Sequence, residues 1–267
     1  MSVASATSPA DAVRASDWTR RARPLLGTIV EVGVRRFEGV DPGAALSAAF
    51  DAVADVQHCL SRFDVDSDVS RFRSLRSGEQ LTMRPAMQQV LAAADELRTA
   101  SDGAFDITVG TGARDWRCEG DRLHKLSDTV RFDLGGIGKG FAIDCAVRVL
   151  LAHGVDAGFV NAGGDLRAFG DADVPVHLRD EHDGGVRFFA TLGDGAFATS
   201  HFDRSSRCDL TRPDHLRENR ASTFTAAHVS VAAPLCLWAD ALTKIVAIHG
   251  DASHPLLARY DARAWLH

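Results

Sequence analysis

Apolar side chains recur at steps of three and four along "DPGAALSAAFDAVADVQHCLSRF", where Leu46, Phe50, Val53, Val56 and Leu60 mark one face of a helix. The same period predicts a second helix from Pro85 to about Ala100, with Met87, Val90, Leu91, Ala94 and Leu97 turned inward and proline suited to the first turn. "KGFAIDCAVRVLLAHG" reads as a third helix stopped by Gly154, and "LWADALTKIVAIHG" as a last one closed by Gly250. Between them the pattern shortens to alternation and β-branched runs. Ile29, Val30, Val32 and Val34 in "PLLGTIVEVGVR" predict a strand, "TVRFDLGG" a strand running into a turn, and "DAGFVNAGGDLRAFG" a strand, a glycine turn and a strand. Residues 174–179, 186–192 and 195–199, "AAHVSVAA" and a short piece of the tail to His267 complete the strands. "GAFDITVG" reads by default as a plain strand, with a ligand-facing extended stretch as the alternative. "DVDSDVSRFRSLRSGEQ" is polar and turn-rich, and 200–224 is charged and irregular. Helices and strands mix without regular βαβ alternation, which favours an α+β fold. Residues 1–20 read as a disordered tail and 21–267 as one domain.

Composition narrows the classes. The 267 residues are 45% hydrophobic and 25% charged, with a formal net charge of -6. An acidic chain of this kind offers no general surface for nucleic acid, so any phosphate site has to be local. No stretch reaches the roughly 18 apolar residues of a membrane span, and the first residues lack a signal peptide's apolar centre. The expectation is a cytoplasmic protein without a membrane anchor. Cys59, Cys118, Cys145, Cys208 and Cys236 lie far apart, without a CxxC pair, and read as reduced thiols rather than a zinc site or a disulfide framework. The histidines show no HExxH spacing, and no GxSxG is present.

Candidate chemistry gathers around "DLGGIGKG". Asp133 ends the predicted strand, Gly135, Gly136, Gly138 and Gly140 line the turn, and Lys139 stands where the next helix begins. Glycines let backbone approach a ligand, and a helix N-terminus directs N–H groups at an anion. The alternative is a tight strand-to-helix turn whose glycines serve packing alone. Asn161, Gly163, Gly164 and Asp165 repeat the theme, either as a second polar turn beside the first or as an ordinary hairpin turn. Asp240, read as lying on the first turn of the last helix, is a capping carboxylate or a ligand for a hard cation such as magnesium.

In order along the chain, "LLGTIVEV", "SRFDVDSDVSRF", "GAFDITVG", "DLGGIGKGFAID", "GFVNAGGDLRAFG" and "SVAAPLCLWADALTKIVAIHG" resemble the FAD:protein FMN transferase (ApbE-like) family, from about Arg23 to Gly250. The resemblance implies an ApbE-like, T-fold-related α+β domain with a central FAD cleft. It implies transfer of FMN from FAD to a threonine or serine hydroxyl of a flavin-acceptor protein, with release of AMP and assistance from Mg2+. Asp133 and Lys139 would contact the flavin part of FAD. Leu26, Phe63, Ala104, Phe105 and Asp106 would line the isoalloxazine or adenine region, and Asn161, Gly163, Gly164 and Asp165 would complete the FAD site. The Gly136 carbonyl and Asp240 would hold magnesium, and Asp240 and Lys244 would stand at the reacting phosphates. The chain departs from the family pattern in three places. Lys244 replaces the threonine four residues after Asp240, with Thr243 beside it. "SSRCDLTRPDHLRENRAS" stands where the family has HxxDPxTG, and His201 replaces the glycine after "ATS". Since i and i+4 share a helix face, Lys244 either pairs with Asp240 in the metal's place or snorkels outward and leaves the metal its site. The alternatives to transfer are an FAD-binding protein without transferase activity and an FAD pyrophosphate hydrolase.

Overall fold

Val30, Val32 and Val34 are fully buried, and their alternation seats strand β2 (Thr28–Arg35) against a helical layer. The computed structural model describes residues 18–35, 39, 41–179, 185–202 and 228–267. Residues 1–17 of the expected 1–20 tail and most of the irregular 200–224 stretch, with the segment replacing HxxDPxTG, lie outside the described residues, and residues 18–20 are strand rather than tail. Strand β1 (Trp18–Leu25) pairs antiparallel with β2 through the turn at Leu26 and Gly27. Both turn residues have positive φ, 55° and 72°, as a two-residue hairpin turn matched to strand twist requires.

The strands further along the chain are β3 (Gln80–Thr82), β4 (Trp116–Glu119), β5 (Arg122–Lys125), β6 (Gly158–Ala162), β7 (Asp165–Phe169), β8 (Val174–Arg179), β9 (Val186–Leu192), β10 (Gly195–His201), β11 (His228–Ala233) and β12 (Arg263–Leu266). A seven-stranded antiparallel sheet runs in the order β1-β2-β6-β7-β10-β11-β12. Helices α1 (Pro42–Leu60), α2 (Asp68–Ser74), α3 (Pro85–Ala100), α4 (Gly138–Ala152), α5 (Cys236–His249) and α6 (Leu256–Arg259) complete the described elements. Residues of α1, α3, α4 and α5 share the main apolar core with the inward valines of β2 and β11. The opposite face carries a smaller cluster, in which Phe159, Leu166 and Phe197 of the sheet meet Val176 and Leu178 of the β8–β9 hairpin.

Helices α4 and α5 meet at their N-termini. A Cβ added to Gly140 would lie 2.3 Å from the Cys236 carbonyl oxygen, so only glycine permits this approach. Each helix satisfies the other's free donors. Asp144 of α4 accepts from the Cys236 and Leu237 N–H groups at 3.0 and 2.9 Å, and Asp240 of α5 accepts from the Gly140 N–H at 3.1 Å.

Four local expectations change. Helix α2 occupies part of the polar 64–80 stretch, because its polar side chains turn inward. Ser67 caps it at the Ser70 N–H, 3.0 Å, and buried Asp68 accepts from Arg84 Nε and the Arg84 N–H at 3.0 and 2.7 Å. Among the described residues "TVRFDLGG" forms no strand: 130–134 have no regular structure and lie between two turns. Phe132 stacks on Phe72 with ring centroids 4.3 Å apart, and the Asp133 N–H donates to Ile107 O at 2.7 Å. "GAFDITVG" is a chain of turns rather than a strand, since the Asp106 carboxylate accepts from the Thr108 N–H and hydroxyl and the Gly110 N–H. Helix α5 starts at Cys236, which moves Asp240 into its second turn and explains why it caps a neighbour instead of its own helix.

Candidate functional site

A cleft of about 740 Å³ opens where the hairpin turn at Leu26, the end of α1, the 105–109 turns, the 133–139 glycine turn, the end of β10 and α5 converge. This lies in the range of roughly 300–1,000 Å³ typical of cofactor pockets. Of the predicted residues, Leu26, Phe63, Phe105, Asp106, Asp133, Gly136, Lys139 and Lys244 line it. Leu26 stands at φ 55°, a costly conformation for a branched side chain; its N–H donates to the Gln57 side-chain oxygen. Phe105 is buried, whereas Phe63 is 82% exposed at the rim, with the Arg62 guanidinium 4.9 Å over its ring.

Asp133 is held from two sides: its carboxylate accepts from the Gly135 N–H at 2.9 Å and from Arg62 at 2.9 Å. Arg62, Gln57, Thr199, Ser200 and His201 also line the cleft and were not among the candidates. Arg62 lies in the quoted "SRF" and Ser200 in "ATS", but neither position carries a pattern that separates it from a surface residue.

Ala104, Asn161, Gly163, Gly164, Asp165 and Asp240 are not among the cleft-lining residues. The Ala104 N–H donates to Ser101 O at the end of α3. Asn161 accepts from the Gly164 N–H at 3.1 Å, which makes 161–165 the tight turn of the β6–β7 hairpin. The two aspartates stand behind the lysines that do face the cleft. Asp165, 1% exposed, pairs with Lys139 at 2.7 Å, and Asp240, also 1% exposed, pairs with Lys244. Burial and then the Asp240 charge push the Asp165 carboxyl up to about 6, against the pull of Lys139. Burial would raise Asp240 as well, but the Lys244 and Lys139 ammonium groups outweigh it and hold that carboxyl below its ordinary value. Burial alone would lower Lys139, yet Asp165 and Asp240 keep it above the usual lysine range.

Lys244 does not snorkel outward. Its ammonium donates to the Asp240 carboxylate, to Asp240 O at 2.9 Å and to Ser200 Oγ at 3.2 Å. Its stem passes over the glycine floor, since a Cβ on Gly136 would lie 3.3 Å from Lys244 Cε. This arrangement does not fit the magnesium that the resemblance implies. One Asp240 oxygen accepts from Lys244 and the other from the Gly140 N–H. Among the described residues no group of three or more histidine, cysteine or acidic side chains is placed to hold a metal ion.

The ApbE family matches residues 26–128 and 117–265 of the chain. An FAD:protein FMN transferase of Vibrio cholerae is 25% identical over 268 residues, covering 85% of this chain and 80% of that protein. One of Rhodobacter capsulatus is 24% identical and covers 88% of this chain but 52% of its own length. The fold is also that of the solved flavin transferase ApbE of Vibrio cholerae, with a TM-score of 0.82 at 20% identity and 93% of each chain covered. The apo flavinyl transferase ApbE of Pseudomonas stutzeri gives 0.77 at 22% identity, covering 92% of this chain and 89% of that one. Among the described residues no helix is long and apolar enough to cross a membrane.

Proposed function

This chain belongs to the ApbE family, and from that membership we propose that it transfers FMN from FAD to a threonine or serine hydroxyl of an acceptor protein. The observation that carries the reading is a single cleft lined both by apolar groups, Leu26 and Phe105, and by two lysines, Lys139 and Lys244. A flavin dinucleotide asks for that combination: a flat apolar ring system and an anionic diphosphate. The matched relatives named as FAD:protein FMN transferases support the same substrate.

In the proposed reaction the acceptor hydroxyl oxygen bonds to the FMN phosphorus while the phosphorus–oxygen bond to AMP breaks. AMP leaves with the electron pair of that bond, and the hydroxyl proton passes to solvent or a base. Displacement at a diphosphate depends on positioning and on neutralising developing charge more than on covalent help. In this reading Asp133, anchored by Gly135 and Arg62, orients the flavin, and the lysine pair faces the phosphates. No step is assigned to magnesium, because the Asp240 carboxylate is already engaged on both oxygens.

That engagement supports a second reading, an FAD-binding protein of this fold without transfer. Incubation with FAD, with and without a threonine-bearing acceptor peptide, separates the two. AMP released only with the peptide, together with a flavin-labelled peptide by mass spectrometry, supports transfer. AMP without peptide points to hydrolysis, and intact bound FAD in both arms to the binder.

A further inference from the structure

The cleft already contains a cation where a diphosphate needs one. Lys244 is 5% exposed, lines the cleft, and spends its three N–H donors on two Asp240 oxygens and the Ser200 hydroxyl. The Ser200 contact is the replaceable one. Ser200 also lines the cleft, and its hydroxyl has a second partner in Thr243 Oγ1 at 2.8 Å, so a phosphate oxygen can take its place on the ammonium. A side chain at Gly136 would crowd the lysine stem, with Lys244 Cε 3.3 Å from an added Cβ. Lys139 faces the same cleft, backed by Asp165 as Lys244 is backed by Asp240. A buried charge is costly unless it is paired, and a carboxylate pairs with each of these two lysines.

Resting on the FAD reading above, we infer that the Lys244 ammonium, with Lys139 beside it, is the resident cation of the diphosphate site, so that FAD is held without a divalent ion. Lys244 stands where the resemblance puts threonine, one turn after Asp240, and brings to the cleft a positive charge that a threonine lacks.

Titration of FAD by flavin fluorescence, in EDTA and again in magnesium, tests this on the unaltered protein. The expected Kd differs by less than about two-fold between the two conditions, since no metal bridge is made or lost. Lys244→Met in EDTA is expected to weaken FAD at least about ten-fold, the loss of one charge-assisted hydrogen bond. It should leave riboflavin, which lacks phosphate, within about two-fold. The paired variant Lys244→Met with Asp240→Asn removes the stranded carboxylate and guards against misfolding of the single variant; the same FAD-selective loss is expected. A magnesium-dependent tightening beyond about ten-fold in the unaltered protein makes a divalent ion the resident cation and overturns the inference, with the function reading intact. Equal losses for FAD and riboflavin assign Lys244 to holding the fold and also overturn it. FAD that binds in neither condition removes the function reading itself.

Discussion

Two lysines at the cleft and the two aspartates behind them alternate in sign: Asp165, Lys139, Asp240 and Lys244. Asp165 is the member whose titration reaches the useful pH range. Its carboxyl ordinarily titrates near 3.8 and in the fold rises to about 6, burial first and the Asp240 charge second. A folded pKa above the unfolded one means that the folded state binds the proton more firmly. The contribution to stability is therefore complete below the ordinary value and lost as pH rises through about 6. Asp165→Asn removes this titration, so the melting temperature of the unaltered protein relative to the variant should fall between about pH 4 and pH 7. A difference that stays flat over that window means the carboxyl is not raised. Asp133 acts through hydrogen bonds instead. Asp133→Ala releases Arg62 and the Gly135 N–H and is expected to weaken FAD by about ten-fold or more. Unchanged quenching of flavin fluorescence would take Asp133 out of the site.

At the scale of elements, α4 and α5 meet in a close vertex held by Asp144 and Asp240. Gly140→Ala places a methyl 2.3 Å from the Cys236 carbonyl oxygen, and overpacking of this kind costs about 1–3 kcal/mol. A fall in melting temperature of several degrees is the expected result of calorimetry, and no change would mean the helices slide apart freely. The neighbourhood also shows what a sequence can reveal. Helices α1, α3, α4 and α5 were legible because their buried faces repeat at helical spacing, and β6 and β7 because a Gly-Gly pair punctuates them. Strand β1 was not, since "WTRRARPL" is an edge strand with a mostly exposed charged row. Helix α2 was hidden because Asp68 and Ser70 are buried polar groups, which read as surface. The contribution of Asp144 to α5 could not be read either: it joins residues 92 and 93 positions apart. The cleft-facing lysines came from different signals, Lys139 from its glycine turn and Lys244 from its departure from the family pattern; the i+4 step to Asp240 left pairing and an outward course both open.

Over the whole molecule, the cleft draws on segments from Leu26 to Lys244, so no single stretch of chain carries it. The core that brings them together also encloses thiols. Burial, then the Asp68 charge, pushes Cys59 up to about 11, and burial above all raises Cys236 further from reactivity. Iodoacetamide near pH 8 should therefore leave both unmodified in the native protein and label both after denaturation, as peptide mass spectrometry would show, because the thiolate is the reactive form. Labelling of Cys59 without unfolding would mean that the α1 face opens. The α4–α5 vertex has one more consequence. Lys139 directly precedes Gly140, whose N–H donates to Asp240, and Lys244 stands one turn beyond Asp240 itself. The joint between the two helices therefore sets where the two ammonium groups stand relative to one another. On the proposed function, a chain softened at that joint should lose its hold on the FAD diphosphate before it unfolds, and keep only its grip on the flavin ring.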